Sequence, residues 1–276
     1  MSARPAIGVF DSGVGGLTVL RELVALVPAA DYLYFGDTAR LPYGSKSVET
    51  VARYAISAAR FLEEKRIELL VVACNTASAL ALPQIAAAVG VPVIGVIEPG
   101  AEAAAAASRT RKAVVIGTEG TVSSHAYQRA LAARGIEARE QACPLFVPLV
   151  EEGWTDHPVT EQVAHIYLDA LFKNGPAGAD VMVLGCTHYP LLKPLLRRLA
   201  PPAVTIVDSA ESTAQAVAAR LGTGDLARAA GSSLGPHESR LTFFSTDSVE
   251  KFRRLGARFL GHPVEDVAHV DLDRLP

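Results

Sequence analysis

Two of the three cysteines in this 276-residue chain stand in the same local context, and that context suits acid/base chemistry. Cys74 follows the apolar run 70–73, and Cys186 follows the apolar run 181–185. Polar residues and then a helical pattern come after each cysteine. A thiol at a helix N-terminus feels the positive end of the helix dipole, which lowers the thiol pKa. We therefore predict that both thiols are reactive.

The expected positions of these thiols favour proton transfer at two faces of one substrate. In open parallel sheets, ligands bind beyond the carboxyl ends of the strands, and both cysteines come at such ends. Asn75 or Thr76, and Thr187, are suitable N-cap residues for the helices that follow. If two related halves face each other, one thiol could remove the α-proton of an amino acid while the other protonates the opposite face. Such chemistry would invert an amino acid without an electron-sink cofactor.

Each of these residues also has an ordinary structural interpretation. A free cysteine after a strand is commonly a small buried hydrophobe, and we assign that role to Cys143, whose context is not repeated. Asp11 precedes the glycine-rich segment 12–16, which is either a structural turn or an anion site. No Lys-Ser/Thr follows those glycines, so a Walker loop is excluded. His188 is either a base for Cys186 or a capping histidine.

Composition excludes several other classes of protein. Half of the residues are hydrophobic, 20% are charged and the net charge is −3, which provides a sizeable core but no basic surface for nucleic acid. We find no signal peptide and no apolar run long enough to span a membrane, so we expect a cytoplasmic protein. Three cysteines are too few for a disulfide framework, and none has zinc-ligand spacing. No metal site is expected.

Short apolar runs alternate with longer helical patterns, which predicts an α/β protein with parallel sheets covered on both faces. The predicted strands are residues 6–10, 32–35, 69–73, 93–96, 113–117, 138–142, 181–184 and 204–207. The predicted helices are residues 17–26, 48–65, 78–89, 123–134, 157–172 and 191–199. Pro83 should lie in or near the first turns of its helix, and Pro194 predicts a kink or an early 3₁₀ turn.

The repeated cysteine context indicates two similar doubly wound parallel-sheet domains, which could place the two thiols on opposite sides of one cleft. The turn at residues 10–13 has a counterpart at residues 117–120. We place the first domain at residues 1–98, joined by the tail 209–276, and the second at residues 99–208. A hinge is expected at the Pro-Gly pair between the domains.

Several short motifs together resemble those of glutamate racemases. They are FDSGVGG from Phe10, YFGDTA from Tyr34 with PYG from Pro42, VACNTAS from Val72, GTEGT from Gly117, CPLFVP from Cys143 and LGCTHYP from Leu184. The motifs extend over most of the chain, whereas the tail after Ser209 matches only loosely. The resemblance implies that the two domains are related by pseudo-twofold symmetry, with the active site in the cleft between them. It also implies a cofactor-independent isomerase, often a homodimer, that interconverts L- and D-glutamate and supplies D-glutamate for peptidoglycan.

The resemblance also implies a role for each motif residue. Cys74 and Cys186 would be the proton donor/acceptor pair, assisted by Asp11 and His188 respectively. An acidic residue would also assist, and Glu151 is preferred over the adjacent Glu152. A set of hydroxyl, amide and glycine residues would hold the substrate: Ser12, Tyr43, Gly44, Asn75, Thr76, Thr121 and Thr187.

Other functions remain open at the level of sequence. Aspartate racemases of the same superfamily tend to have Glu at the position of His188, so this histidine favours glutamate. A non-catalytic binding or partner-binding protein on this scaffold would not need both thiols, and a periplasmic binding module would need a signal peptide. A pyridoxal-phosphate enzyme would need a Schiff-base lysine, and the lysines here lie mostly in helical or solvated contexts.

Overall fold

The computed structural model describes residues 4–223 and 239–272, in which strands and helices alternate. The strands are β1 Ala6–Asp11, β2 Asp31–Gly36, β3 Leu69–Val72, β4 Val93–Gly95, β5 Lys112–Gly117, β6 Glu137–Ala142, β7 Val181–Gly185, β8 Thr205–Asp208, β9 Leu241–Ser245 and β10 Val267–His269. The helices are α1 Leu17–Leu26, α2 Val48–Glu64, α3 Asn75–Ala88, α4 Ile97–Ala107, α5 Glu119–Ser123, α6 Ala126–Ala132, α7 Phe146–Glu151, α8 Pro158–Asn174, α9 Lys193–Leu199, α10 Ser209–Thr223 and α11 Val249–Leu260. Two 3₁₀ turns lie at Tyr43–Ser45 and Tyr189–Leu192.

Two parallel sheets make up the fold. The four strands of the second sheet are connected in the same order as strands β2-β1-β3-β4 of the first. The first sheet has the order β10-β9-β2-β1-β3-β4, and the second has the order β6-β5-β7-β8. Every strand pair in both sheets is parallel. The central strands β1, β3, β5 and β7 are almost completely buried, as expected for sheets covered on both faces. The predicted α/β class and its two similar halves are confirmed.

The strand order places a ligand crevice at an equivalent point in each sheet. The chain leaves β1 toward β2 on one side and returns to β3 on the other, so β1 and β3 flank a topological switch point. In the second sheet β5 and β7 do the same. Cys74 comes shortly after β3 and Cys186 directly after β7, so the two thiols occupy corresponding crevices.

A shared hydrophobic core joins the two halves. It includes buried side chains from α1, β7, α10 and α11, among them Leu17, Leu184, Val217 and Phe252. The tail adds β9 beside β2 and β10 beside β9 in the first sheet. No helix within the described ranges is long and apolar enough to cross a membrane. The domain boundaries remain predictions, but the Pro-Gly pair proposed as a hinge lies inside α4 and not in a turn.

Two helix predictions differ from the structure, and a third is confirmed. The helix expected at 123–134 is shorter, because α6 begins only after His125, whose left-handed backbone with φ 53° separates α6 from the short α5. Helix α3 begins three residues earlier than expected, which places Pro83 in its interior and not near its first turns. The 3₁₀ turn expected near Pro194 is present, and Pro194 itself lies in the first turn of α9, where no intrahelical N–H is required.

Candidate active site

A cavity of about 340 Å³ lies at the carboxyl ends of the strands and brings most of the predicted site residues together. Each of the two halves contributes one of the two cysteines. The predicted residues that line it are Ser12, Tyr43, Gly44, Cys74, Asn75, Thr76, Glu151, Cys186, Thr187 and His188. Asp11 and Thr121 are buried behind this lining. Cys143 is fully buried away from the cavity, where its thiol donates to the Gln141 carbonyl.

Cys74 is itself the N-cap of α3, a role that the sequence had suggested for Asn75 or Thr76. Its sulfur accepts a hydrogen bond from the Ala77 N–H at 3.4 Å, and the thiol donates to Ser12 Oγ at 3.6 Å. Burial and the nearby Asp11 carboxylate nevertheless raise the pKa of Cys74 to about 12, although the Ala77 N–H acts in the opposite direction. The expectation of a lowered pKa is wrong for Cys74, which is a neutral thiol in this environment.

Asp11 is almost completely buried at the end of β1. Its Oδ2 accepts the Gly13 N–H at 2.9 Å, while Oδ1 has no hydrogen-bond partner among the described residues. Burial raises the pKa of Asp11, and the Gly13 N–H and the charge of His188 reduce that rise. An incompletely satisfied carboxylate beside Cys74 destabilises the fold, which is typical of a residue retained for its chemistry.

Asp11→Asn is expected to raise the thermal midpoint at pH 7 while lowering the racemisation rate about 100-fold or more. Because burial raises the pKa of Asp11, folding disfavours its ionised form. The buried charge therefore lowers the stability of the wild-type protein above the unfolded-state pKa of Asp11. That stability is recovered at acidic pH, where the carboxyl group is protonated in both states. The amide can still accept the Gly13 N–H. Thermal unfolding at pH 4 and pH 7, together with an activity assay, would check this, and a destabilised but active variant would contradict it.

Cys186 lies beside a buried histidine that is in turn paired with an acid. Its sulfur is 4.0 Å from His188 Nδ1, and His188 Nε2 is 3.2 Å from Glu151 Oε1. Burial lowers the pKa of His188, but the contacts with Cys186 and Glu151 outweigh it and raise the value to about 10. The hydrogen bond from His188 holds the pKa of Glu151 below its usual range. Glu152 is exposed, and it is Glu151 that contacts His188.

The two thiols therefore have opposite electrostatic surroundings. A carboxylate stands beside Cys74, whereas an imidazolium stands beside Cys186. A negative neighbour favours the thiol, and a positive neighbour favours the thiolate. His188 is the N-cap of the 3₁₀ turn that follows Cys186, so the cap predicted at Thr187 is wrong. An acid and a base at equivalent strand ends are what a proton exchange at one carbon requires.

Threonine hydroxyls from both halves meet at one side of the cavity. Thr76 Oγ1 is 2.8 Å from Thr118 Oγ1 and 3.4 Å from Thr121 Oγ1. Thr118 also caps α5 and lines the cavity, yet sequence reasoning assigned it no role. The signal was available, because Thr118 follows β5 where Ser12 follows β1 within the internal repeat. Glu119, which also lines the cavity, was missed as well.

Asn75 and Tyr43 are held by neighbours that the sequence did not identify. The Asn75 amide accepts from Tyr127 Oη at 2.7 Å and donates to Ser209 Oγ at 3.2 Å, so it ties α3 to the second half. The Tyr43 hydroxyl donates to the fully buried Asp37 carboxylate at 2.6 Å. Asp37 therefore fixes the loop that brings Tyr43 to the cavity.

Comparison with known proteins decides the family. The family model for Asp/Glu/Hydantoin racemases matches residues 7–217. A glutamate racemase of Koribacter versatilis is 62% identical over 98% of both chains. The structure of glutamate racemase from Thermus thermophilus with β-chloro-D-alanine is 46% identical with a TM-score of 0.85, and covers 99% of both chains. That from Francisella tularensis with D-glutamate is 32% identical with a TM-score of 0.88 and the same coverage.

The chain belongs to the glutamate racemase family. This confirms the resemblance seen in the motifs and the isomerase class that it implied. An aspartate racemase of Picrophilus torridus shares the fold at 17% identity and a TM-score of 0.57. Within the glutamate racemase family, the tail that resembled the motifs only loosely is also matched, because these relatives align over almost the whole chain.

The described lining of this family member's cavity presents hydroxyl groups and the His188 cation to a substrate, but no lysine or arginine. None of the described residues that line it is lysine or arginine, so no Schiff-base lysine and no fixed cation of that kind faces the ligand. No group of three His, Cys, Asp or Glu side chains within the described ranges could hold a metal ion. Besides His188, hydroxyl groups and backbone N–H groups at helix starts are available for carboxylates.

Proposed function

We propose that this protein interconverts L- and D-glutamate without pyridoxal phosphate, using Cys74 and Cys186 as two acid/base groups. One observation supports this above all. The two cysteines follow equivalent strands of two repeated sheets, line one cavity, and have a carboxylate beside one and a histidine–glutamate pair beside the other. Relatives that are 62% and 52% identical to this chain bear the name glutamate racemase.

The reaction balances as a proton exchange at Cα. The thiolate on one side takes the α-proton, the C–H bond breaks, and its electron pair passes into the substrate carboxylate. The thiol on the other side then gives its proton to the opposite face, which forms the new C–H bond and leaves a thiolate there. The enantiomer has been formed, and the protonation states of the two sulfurs have been exchanged. No oxidant or other co-reactant is needed.

The surrounding residues lower the barrier by stabilising charge. Thr76, Thr118 and Thr187 place hydroxyl groups at the cavity, where they can donate to the developing enediolate. Burial and Asp11 favour the neutral thiol of Cys74, which can then act as the acid, and His188 stabilises negative charge on Cys186. Tyr43, whose hydroxyl donates to Asp37, and the adjacent Gly44 line the cavity where the side-chain carboxylate of glutamate would be bound.

Alkylation should distinguish the two thiols in the resting protein. We expect iodoacetamide at pH 7 to modify Cys74 about tenfold more slowly than Cys186, because thiolate is the reactive form and burial and Asp11 raise the pKa of Cys74 to about 12. The two are equally accessible at 5% exposure, so access does not favour either, and fully buried Cys143 is the internal control. Peptide mass spectrometry after timed quenching measures the order, and glutamate should protect both cavity thiols. Faster modification of Cys74 would contradict the electrostatic assignment.

Circular dichroism with substrate tests the proposed activity directly. Purified protein free of pyridoxal phosphate should bring L-glutamate and D-glutamate to the same racemic end point, and should leave L-aspartate unchanged. Reaction with aspartate instead would make the protein an aspartate racemase. A protein that bound glutamate without inverting it would have a binding role.

The proposal includes a cellular role. D-glutamate is a peptidoglycan component, so the enzyme would serve cell-wall synthesis in the cytoplasm.

We also propose that the protein acts as a homodimer, as the family resemblance implies. Ile166 on α8 is 69% exposed, the highest value among the exposed large apolar side chains of the described residues. Sedimentation velocity at micromolar concentration should show a dimer, and a monomer at all concentrations would refute that part.

A further inference from the structure

The glycine-rich turn at residues 12–16 has a contact that explains one of its glycines. A Cβ atom on Gly15 would lie 2.3 Å from Thr187 Oγ1 and 2.5 Å from His188 Nδ1. Real Cβ atoms do not approach other atoms so closely, so the backbone of the first half touches the side chains that follow Cys186. The sequence left this turn open between a structural turn and an anion site. In the structure it contacts the second cysteine segment.

Thr18, three residues further on, makes a hydrogen bond across the same contact. Its side chain is fully buried in α1, and its Oγ1 lies 3.0 Å from the Thr187 carbonyl and 3.0 Å from the Gly15 carbonyl. The Gly15 carbonyl already accepts the Thr18 backbone N–H. The Thr187 carbonyl is therefore the acceptor that gains most from the hydroxyl.

A proline creates the need for this donor. In the turn after Cys186, the Tyr189 N–H donates to the Cys186 carbonyl and the Leu191 N–H donates to the His188 carbonyl. The equivalent donor for the Thr187 carbonyl would be residue 190, which is proline and has no N–H. A buried carbonyl without a donor is costly, and the Thr18 hydroxyl supplies one.

We infer that Gly15 and Thr18 are positioning residues that hold Cys186 and His188 in place from the opposite half of the molecule. This inference rests on the proposed function. Neither residue reaches the reacting atoms, and the contact is with the Cys186 side of the cavity. Loss of the contact should therefore impair proton transfer by Cys186 more than proton transfer by Cys74.

Isotope effects reveal which thiol is impaired. The equilibrium constant for racemisation is one, so kcat/KM must fall equally for both enantiomers and cannot tell the thiols apart. The α-deuterium isotope effect on kcat/KM can tell them apart. This isotope effect rises for the enantiomer whose proton Cys186 removes, since that step becomes slower. It falls for the other enantiomer, since protonation by Cys186 then limits the rate.

The test compares Thr18→Val with Thr18→Ser, using L- and D-glutamate with and without deuterium at Cα. We expect Thr18→Val to lower kcat/KM about tenfold and to move the two isotope effects in opposite directions. Thr18→Ser, which keeps the hydroxyl, should restore both. Thr213→Val is the matched control, because Thr213 is also fully buried on a helix and its hydroxyl has no partner among the described residues.

Several results would overturn the inference. Unchanged isotope effects in Thr18→Val, or effects that move together, would give Thr18 a role in stability alone. A similar split in Thr213→Val would mean that any buried hydroxyl matters. Gly15→Ala provides the same comparison from the other contact if Thr18→Val does not fold. Failure of the wild-type protein to racemise glutamate would instead refute the proposed function, which the same assay shows separately.

Discussion

Cys74→Ser and Cys186→Ser are each expected to lower glutamate racemisation about a thousandfold or more, in both directions. Each thiol acts as an acid in one direction and as a base in the other, so a variant lacking either has no complete route. A serine hydroxyl is of similar size but is far less acidic than a thiol, so it cannot form the needed anion near neutral pH. Both sulfurs line the cavity, and each is only 5% exposed.

Cys143→Ala is the control for these two substitutions. Cys143 is buried outside the cavity lining, so its loss should change stability and leave kcat/KM near the wild-type value. Circular dichroism with both enantiomers measures the rates, and thermal unfolding shows whether each variant is folded. Near-normal turnover by either cavity variant, in a folded protein, would contradict the two-thiol assignment.

The second large effect is expected at the pair beside Cys186. His188→Asn should lower kcat/KM about 100-fold, because it removes the cation that stabilises the Cys186 thiolate. The pKa of His188 is raised to about 10, so the cation is present at neutral pH and is lost as the pH rises through that value. Wild-type activity should therefore fall on this alkaline side. The same decrease should be absent from the variant.

Substitutions at Glu151 and Glu152 test the role of the contact with His188, with Glu152 as the control. Glu151→Gln keeps the shape of the side chain that contacts His188 but removes its charge, so we expect a loss of about tenfold. Glu152→Gln removes the same charge one residue away from an exposed position and should have no effect. Steady-state rates from pH 6 to 10 measure both. Equal losses in the two variants would mean that the contact with His188 is unimportant.

Much of the fold could be predicted because its signals are local. The continuous apolar strands identified a parallel α/β protein, and the repeated context of Cys74 and Cys186 identified two similar halves. The late start of α6 after His125 could not be predicted, since a left-handed residue inside a helical pattern depends on its surroundings. The same is true of α3, where the Cys74 sulfur accepts an N–H and starts the helix early.

The site was predictable as a set of residues but not as an electrostatic arrangement. A helix start lowers a thiol pKa when considered alone, but burial and Asp11 dominate at Cys74. Neither effect can be calculated before the fold is known. The choice between Glu151 and Glu152 likewise depended on which carboxylate faces His188.

Contacts between residues distant in the chain could not be predicted from the sequence, for a simple physical reason. Thr18 and Thr187 are far apart in the chain, and nothing in either segment alone indicates a hydrogen bond between them. Asp37 is a similar case, since its contact with Tyr43 depends on how the intervening loop folds back. Such residues belong to recognisable motifs, but their roles depend on the elements packed against them.

Deuterium incorporation during a single early time course tests the central claim most directly. The protein would be incubated with L-glutamate in D₂O, and the recovered L-glutamate and the D-glutamate formed would be examined separately by mass spectrometry. Two thiols on opposite faces predict deuterium at Cα in the D-glutamate, while the remaining L-glutamate keeps its proton. Equal deuterium in both enantiomers from the earliest times would indicate a single exchanging base and contradict the account.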